Sequence, residues 1–153
     1  MSLRQYAYFA LFSERISAQE ITSELGIAPD EVSLRGSRRS AEPAVIPVNH
    51  SWKIVSREPD LCVDEQISRI LDRLHPHTNR LAEVASRVTA DGGGAVLQVV
   101  RYFNDSDQDQ LDTSRVPNLY GWHLNRDVLD FLTTVGAELD VDEYDMAPDE
   151  DAG

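Results

Sequence analysis

Cysteine is almost missing from this sequence: Cys62 stands alone in 153 residues. A single thiol excludes an internal disulfide and a cysteine-based zinc cage. Lysine is equally scarce, since Lys53 is the one lysine among 14 basic residues. Any Schiff-base or phosphate-loop lysine would have to be that residue. No apolar run approaches the roughly 20 residues that cross a bilayer. Residues 1–14 carry too short an apolar stretch, and no small-residue cleavage site, to read as a signal peptide. These features together lead us to expect a reducing cytoplasmic setting. Positive charge is in deficit as well, with 27 acids against 14 bases and a net charge of −13. Eight of the acids, and no base, fall within 138–153, so the rest of the chain holds 19 acids against the same 14 bases. Phosphate backbones and anionic membranes attract positive charge. Nucleic-acid and membrane partners are therefore excluded, and a basic protein partner is the charge-matched alternative. The sequence sets no oligomeric state.

What is present is an ordinary globular balance, 41% apolar and 27% charged, in a chain the size of one domain. Residues 6–13 read as an aromatic strand. Ser17 and Glu20 form a capping box, and Ile16 and Ile21 a hydrophobic staple. They start a helix over 18–25 that Gly26 ends and Pro29 blocks. Residues 31–34 and 51–56 read as strands, with a loop over 35–49 between them. Apolar residues from Val63 to Val88 keep helical spacing, which Pro76 breaks into two segments with a common inner face. After the glycine turn at 91–94, residues 95–103 form a nearly all-apolar, central strand. A polar loop over 104–118 leads to a short strand over 119–123. A helix capped by Asn125, stapled by Leu124 and Leu129 and ended by Gly136, is followed by a last strand around 139–144. The order is β-α-β-β-α-β-β-α-β. The expected fold is α+β, a ferredoxin-like βαββαβ core extended by a C-terminal βαβ unit, with one sheet and its helices on a face. The domain spans 1–146, and an acidic, disordered tail takes up 147–153.

The chemical motifs fail on their spacing. Asp105, Asp107 and Asp109 begin like a calcium loop, but Gln110 and Val116 stand where that loop needs Gly and Glu. His75 and His77 flank Pro76 without the third and fourth ligands a metal requires. Gly92, Gly93 and Gly94 precede a strand, not a helix, so they make no phosphate cradle. We therefore expect no cofactor, no metal and no catalytic set. Two groups remain as candidate recognition residues. Arg35, Arg38 and Arg39 are the densest basic cluster, and guanidinium forks bind carboxylates and phosphates. Trp52, Tyr120, Trp122 and His123 include side-chain types enriched at binding hot spots.

Several stretches together resemble one bacterial family. They are Y-A-Y-F-A-L-F-S at 6–13, I-T-S-E-L-G-I-A-P at 21–29, R-G at 35–36, S-W-K-I-V-S at 51–56, the broken helix around 74–81, and L-T-T-V-G-A-E-L-D-V-D-E-Y at 132–144. The chain is similar in their order and spacing to the domain of unknown function numbered four-two-seven-nine, up to about residue 145. That resemblance implies a compact acidic single-domain protein and carries no activity or catalytic residue. From the residues themselves we expect a non-enzymatic protein-binding module, immunity-like or regulatory, that engages a basic partner. The alternative is a small anionic-ligand domain using Arg35, Arg38 and Arg39. A hydrolytic enzyme, with His50 or His123 in acid–base roles, ranks below both.

Overall fold

In the computed structural model, residues 3–35, 49–105 and 120–149 are described. Strand β1 (Leu3–Ser13) leads to helix α1 (Ala18–Leu25), then strands β2 (Glu31–Ser33) and β3 (His50–Ser56). Helix α2 (Val63–Leu74), a 3-10 turn (His75–His77) and helix α3 (Thr78–Ala90) follow. Strand β4 (Gly94–Phe103), helix α4 (Arg126–Val135) and strand β5 (Glu138–Asp145) complete the chain. The strands form one mixed sheet in the order β2-β3-β1-β4-β5. All its pairs are antiparallel except β4 with β5.

The helix ends follow the local sequence. Ser17 accepts a hydrogen bond from the Glu20 amide, and Gly26 closes α1 with φ of 71°. Asn125 caps α4 from Val128 N, and Gly136 closes it with φ of 74°. Both glycines take the left-handed conformation that other residues adopt only at a cost. Pro76 sits in the first turn of the 3-10 segment, where its missing N–H is harmless. The stripe Ile67, Ile70, Leu74, Leu81, Val84 and Val88 stays continuous across that break and is buried throughout.

The core lies on one face of the sheet. Leu3, Gln5, Ala7, Phe9, Leu11 and Ser13 alternate along β1, and each is at most 3% exposed. Phe131 of α4 meets Phe9 edge-on, with ring centres 5.9 Å apart. Buried amides fasten the start of α2 beneath this face. Gln66 Nε2 donates to the carbonyls of Gln5 (3.1 Å) and Glu58 (3.3 Å), and Gln5 Nε2 donates to that of Leu61.

Two expectations need correction. Residues 120–123 form no strand, and the His123 amide donates to Asp64 Oδ1 (2.9 Å) instead of to a sheet neighbour. The C-terminal βαβ unit therefore takes β4 as its first strand, and among the described residues the sheet has five strands rather than six. Leu129, expected as half of a staple, is 49% exposed on α4. Of the expected tail, Ala147, Pro148 and Asp149 run exposed without regular structure, and 150–153 lie outside the described residues.

Candidate binding surface

Strand geometry sends alternate residues to opposite faces, and register partners share a face. The even positions of β1 therefore lie opposite the helices, and the register extends them into rows across the sheet. Val55, Tyr8, Gln98 and Asp140 make one row. Lys53, Ala10, Val96 and Glu138 make another. Tyr6, Val100 and Asp142 make a third, which Arg57 completes from just beyond β3. Arg4, Tyr102 and Tyr144 form the last row before the sheet ends.

The middle of this face is a lane of tyrosines. Tyr6 and Tyr8 stack at 6.2 Å, and Tyr102 and Tyr144 at 5.2 Å. Cations lie over them: Arg57 is 4.2 Å from the Tyr6 ring centre, Arg4 4.2 Å from that of Tyr102, and Lys53 4.4 Å from that of Tyr8. Such contacts favour the positive group because the ring face is electron-rich. Arg57 also bridges Glu31 at 2.8 Å, and Arg4 bridges Asp105 at 2.9 Å. The positive charges thus stand along β3 and β1, held by rings and carboxylates together.

Burial raises the Tyr6 phenol above its ordinary 10.0, and the neighbouring Tyr102 adds to the effect. Burial likewise raises Tyr8, helped by Tyr6 and by Asp142 and Asp140. At Arg57, burial acts to lower the pKa, and the hydrogen bond and charge of Glu31 outweigh it, so the guanidinium stays charged. A phenol raised on folding holds its proton more tightly in the folded state. Its contribution is therefore present below pH 10 and is lost as pH rises through the raised values. The paired change Tyr6→Phe and Tyr8→Phe is expected to flatten the loss of stability above pH 10, measured as urea midpoint against pH. An unchanged alkaline slope would contradict the assignment.

Acids line the opposite margin. β5 is exposed along nearly its whole length and carries Glu138, Asp140, Asp142, Glu143 and Asp145. Among the described residues no strand lies beyond it, so its outer backbone edge is open. Asp142 Oδ2 accepts from Gln98 Nε2 at 3.1 Å. Asp145 is held below its ordinary range by the Asn104 amide and then by Ala147 N. On the helix side, Glu143 lies 3.8 Å from the buried Arg101, whose Nε donates to Gln5 Oε1.

One depression lies on this face and another on the helix side. A cavity of about 290 Å³ at the end of the tyrosine lane is lined by Leu3, Arg4, Gln5, Tyr6, Arg57 and Pro59. A second, of about 230 Å³, lies between α2 and α4 and includes Asp64, Asp72, His75, His123 and Asp127. There His123 Nδ1 lies 3.1 Å from Asp64 Oδ2. Among the described residues no three His, Cys, Asp or Glu side chains form a group able to hold a metal ion. No helix among them is long and apolar enough to cross a membrane.

Among the described residues, those singled out from sequence do not converge. Arg35 lies exposed beside the His50 end of β3, its amide donating to His50 Nδ1. Arg38 and Arg39 lie outside the described residues. Trp52 is wholly buried on the helix side, its Nε1 donating to Thr22 Oγ1 at 3.1 Å. It is a core residue and presents nothing to a partner. Tyr120 stacks on Phe103, Trp122 packs half-buried against the core, and His123 pairs with Asp64. Because Ser13 pairs with His50 and Leu3 with Phe103, Arg35 and Tyr120 belong to opposite ends of the sheet. His50 and His123 are separated in the same way.

Sequence reasoning passed over Tyr6, Tyr8, Tyr102, Tyr144, Arg4 and Arg57. The signal was there in β1, where Arg4, Tyr6 and Tyr8 alternate with Leu3, Gln5, Ala7 and Phe9. Only a division of that strand into its two faces brings it out. Comparison with known proteins adds one finding: residues 3–146 match the model of the family described as Domain of unknown function (DUF4279). No curated protein and no solved structure gives a significant match.

Proposed function

Since the chain belongs to the DUF4279 family, whose description assigns no activity, we propose its function from geometry: a non-enzymatic module that engages a basic protein partner through the β5 margin. The observation that carries this is the exposed, open-edged strand with five acids in eight residues, beside a row of tyrosines. An open edge offers backbone hydrogen bonds to an added strand. Acidic side chains speed encounter with a basic surface, and tyrosines such as Tyr144 serve as anchors. An immunity-like or regulatory role fits a module of this kind.

We also read the first four strands as a ferredoxin-like core that the β4-α4-β5 unit extends. The order β2-β3-β1-β4 with antiparallel neighbours supports this. A cytoplasmic setting is supported by the lone cysteine.

The test is capture from the source cells on immobilised protein. Wild type is compared with the double variant Asp140→Lys and Glu143→Lys, one change on each face of β5, with folding checked by thermal melt. A basic protein retained by wild type and lost from the variant, or released by high salt, is the expected result. Retention of the same proteins by both forms, or of none by either, would contradict the proposal.

A further inference from the structure

Two rows across the tyrosine face, those of Lys53 and Arg57, run from a cation on the β3 side to an acid on β5, with Glu31 of β2 lying beyond Lys53. Cations stand at the β3 side, where Lys53 and Arg57 lie over tyrosine rings. Acids stand at the β5 side, where Glu138 and Asp142 are exposed. Between them run β1 and β4. We propose that this face pairs with the same face of a second copy of the chain, giving a dimer with a two-fold axis parallel to the strands.

The argument is one of register. β3 and β5 are equidistant from the gap between β1 and β4. A two-fold axis along that gap lays β3 of one copy over β5 of the other and β1 over β4, without shifting any residue along the strand. Lys53 and Glu138 share a row, and so do Arg57 and Asp142. Each cation therefore meets the acid of its own row on the second copy. Tyr6 meets the strand that carries Tyr102. Within one copy Arg57 also bridges Glu31 and Asp142 accepts from Gln98, so the charges arrive already held in place. A two-fold interface is self-complementary, and every contact occurs twice. Sheets stacked in this way keep their strands within about 30° and lie roughly 10 Å apart. Ala10, Gln98 and Val100 in the middle of the face are at most 5% exposed, so the contact falls on the tyrosines, cations and acids around them. Four strands spaced about 4.8 Å, each about eight residues long, span on the order of 500 Å² per copy. The total of roughly 1,000 Å² is at the lower limit for a specific interface, so the dimer forms reversibly with concentration. The outer edge of β5 stays open in this arrangement. The inference does not depend on the basic-partner proposal, because it is read on the purified chain alone.

Analytical ultracentrifugation over a concentration series tests it. The mass is expected to rise from 17.1 kDa toward twice that value. Arg57→Glu and Asp142→Arg are each expected to weaken association about tenfold or more, since each places two like-charged pairs in contact. The two changes together are expected to restore it. Carbodiimide coupling of mixed isotope-labelled copies is expected to join Lys53 to Glu138 between copies, and Lys53 is the only lysine available. A mass of 17.1 kDa at every concentration would overturn the proposal. So would a dimer indifferent to both reversals, or a paired variant no better than its parents. Should either reversal prevent folding, the wild-type mass and the Lys53 link decide the matter.

Discussion

Replacing Gly93 by alanine is expected to cost about 3 kcal/mol or more, beyond the usual range for an inserted methyl group in a packed site. A Cβ at this position would stand 2.0 Å from the Phe12 carbonyl oxygen and 2.9 Å from that of Val88. Both neighbours are backbone, so no side-chain rotation relieves the clash. The Gly93 amide also donates to Val88 O at 2.8 Å, which fixes the turn between α3 and β4. Relief would pull the end of β1 from β4 where Phe12 pairs with Gly94. The adjacent glycines provide the comparison. Gly92 has φ of 86° with open space around it, so Gly92→Ala is expected to cost only the ~1–2 kcal/mol of a left-handed residue. A Cβ on Gly94 meets the end of the Phe12 ring, which can turn aside. Urea unfolding of the three variants should rank Gly93→Ala as the most damaging, and an equal or smaller effect than Gly92→Ala would contradict this account.

Trp52→Ala is expected to lower stability by about 3–5 kcal/mol, the range for removing a large buried aromatic residue. Its ring is fully buried on the helix side of β3. The change also removes the indole N–H that donates to Thr22 Oγ1 of α1. Domains of this kind carry about 5–15 kcal/mol in all, so much of the folded population is at stake. Trp122 is only partly buried against the same core, and Trp122→Ala should cost distinctly less. Far-UV circular dichroism in urea reads both variants. A loss below about 1 kcal/mol for Trp52→Ala would show that the site is not the core position described here.

The contrast between the two tryptophans explains much of what sequence did and did not disclose. Local chemistry was legible. Ser17, Glu20 and Gly26 act through atoms a few residues apart, as do Asn125 and Gly136, and the short range of these bonds lets sequence spacing predict them. The broken stripe across Pro76 was legible for the same reason. Burial side is a tertiary property. Trp52 and Lys53 are neighbours in sequence, yet one fills the core and the other lies over Tyr8. Which of them faces out depends on the partners β3 finds. The three glycines at 92–94 read alike as a flexible turn, whereas the packing of Phe12 and Val88 sets them apart. Residues 119–123 read as a short strand in sequence, yet the described part, 120–123, forms none. Their actual course is set by Asp64, which lies 59 positions from His123 in sequence. The tyrosine face is only partly legible for a related reason: the alternation along β1 marks Arg4, Tyr6 and Tyr8, but the rest of the face comes from β3, β4 and β5.

If the β5 margin is the working surface, its backbone should register the partner directly. Hydrogen–deuterium exchange of the protein, with and without the basic protein that it captures, makes the measurement. Slowed exchange centred on Glu138–Asp145 is the predicted result. Slowing confined to the stretch around Arg35 or to residues 120–125, with β5 unchanged, would contradict it.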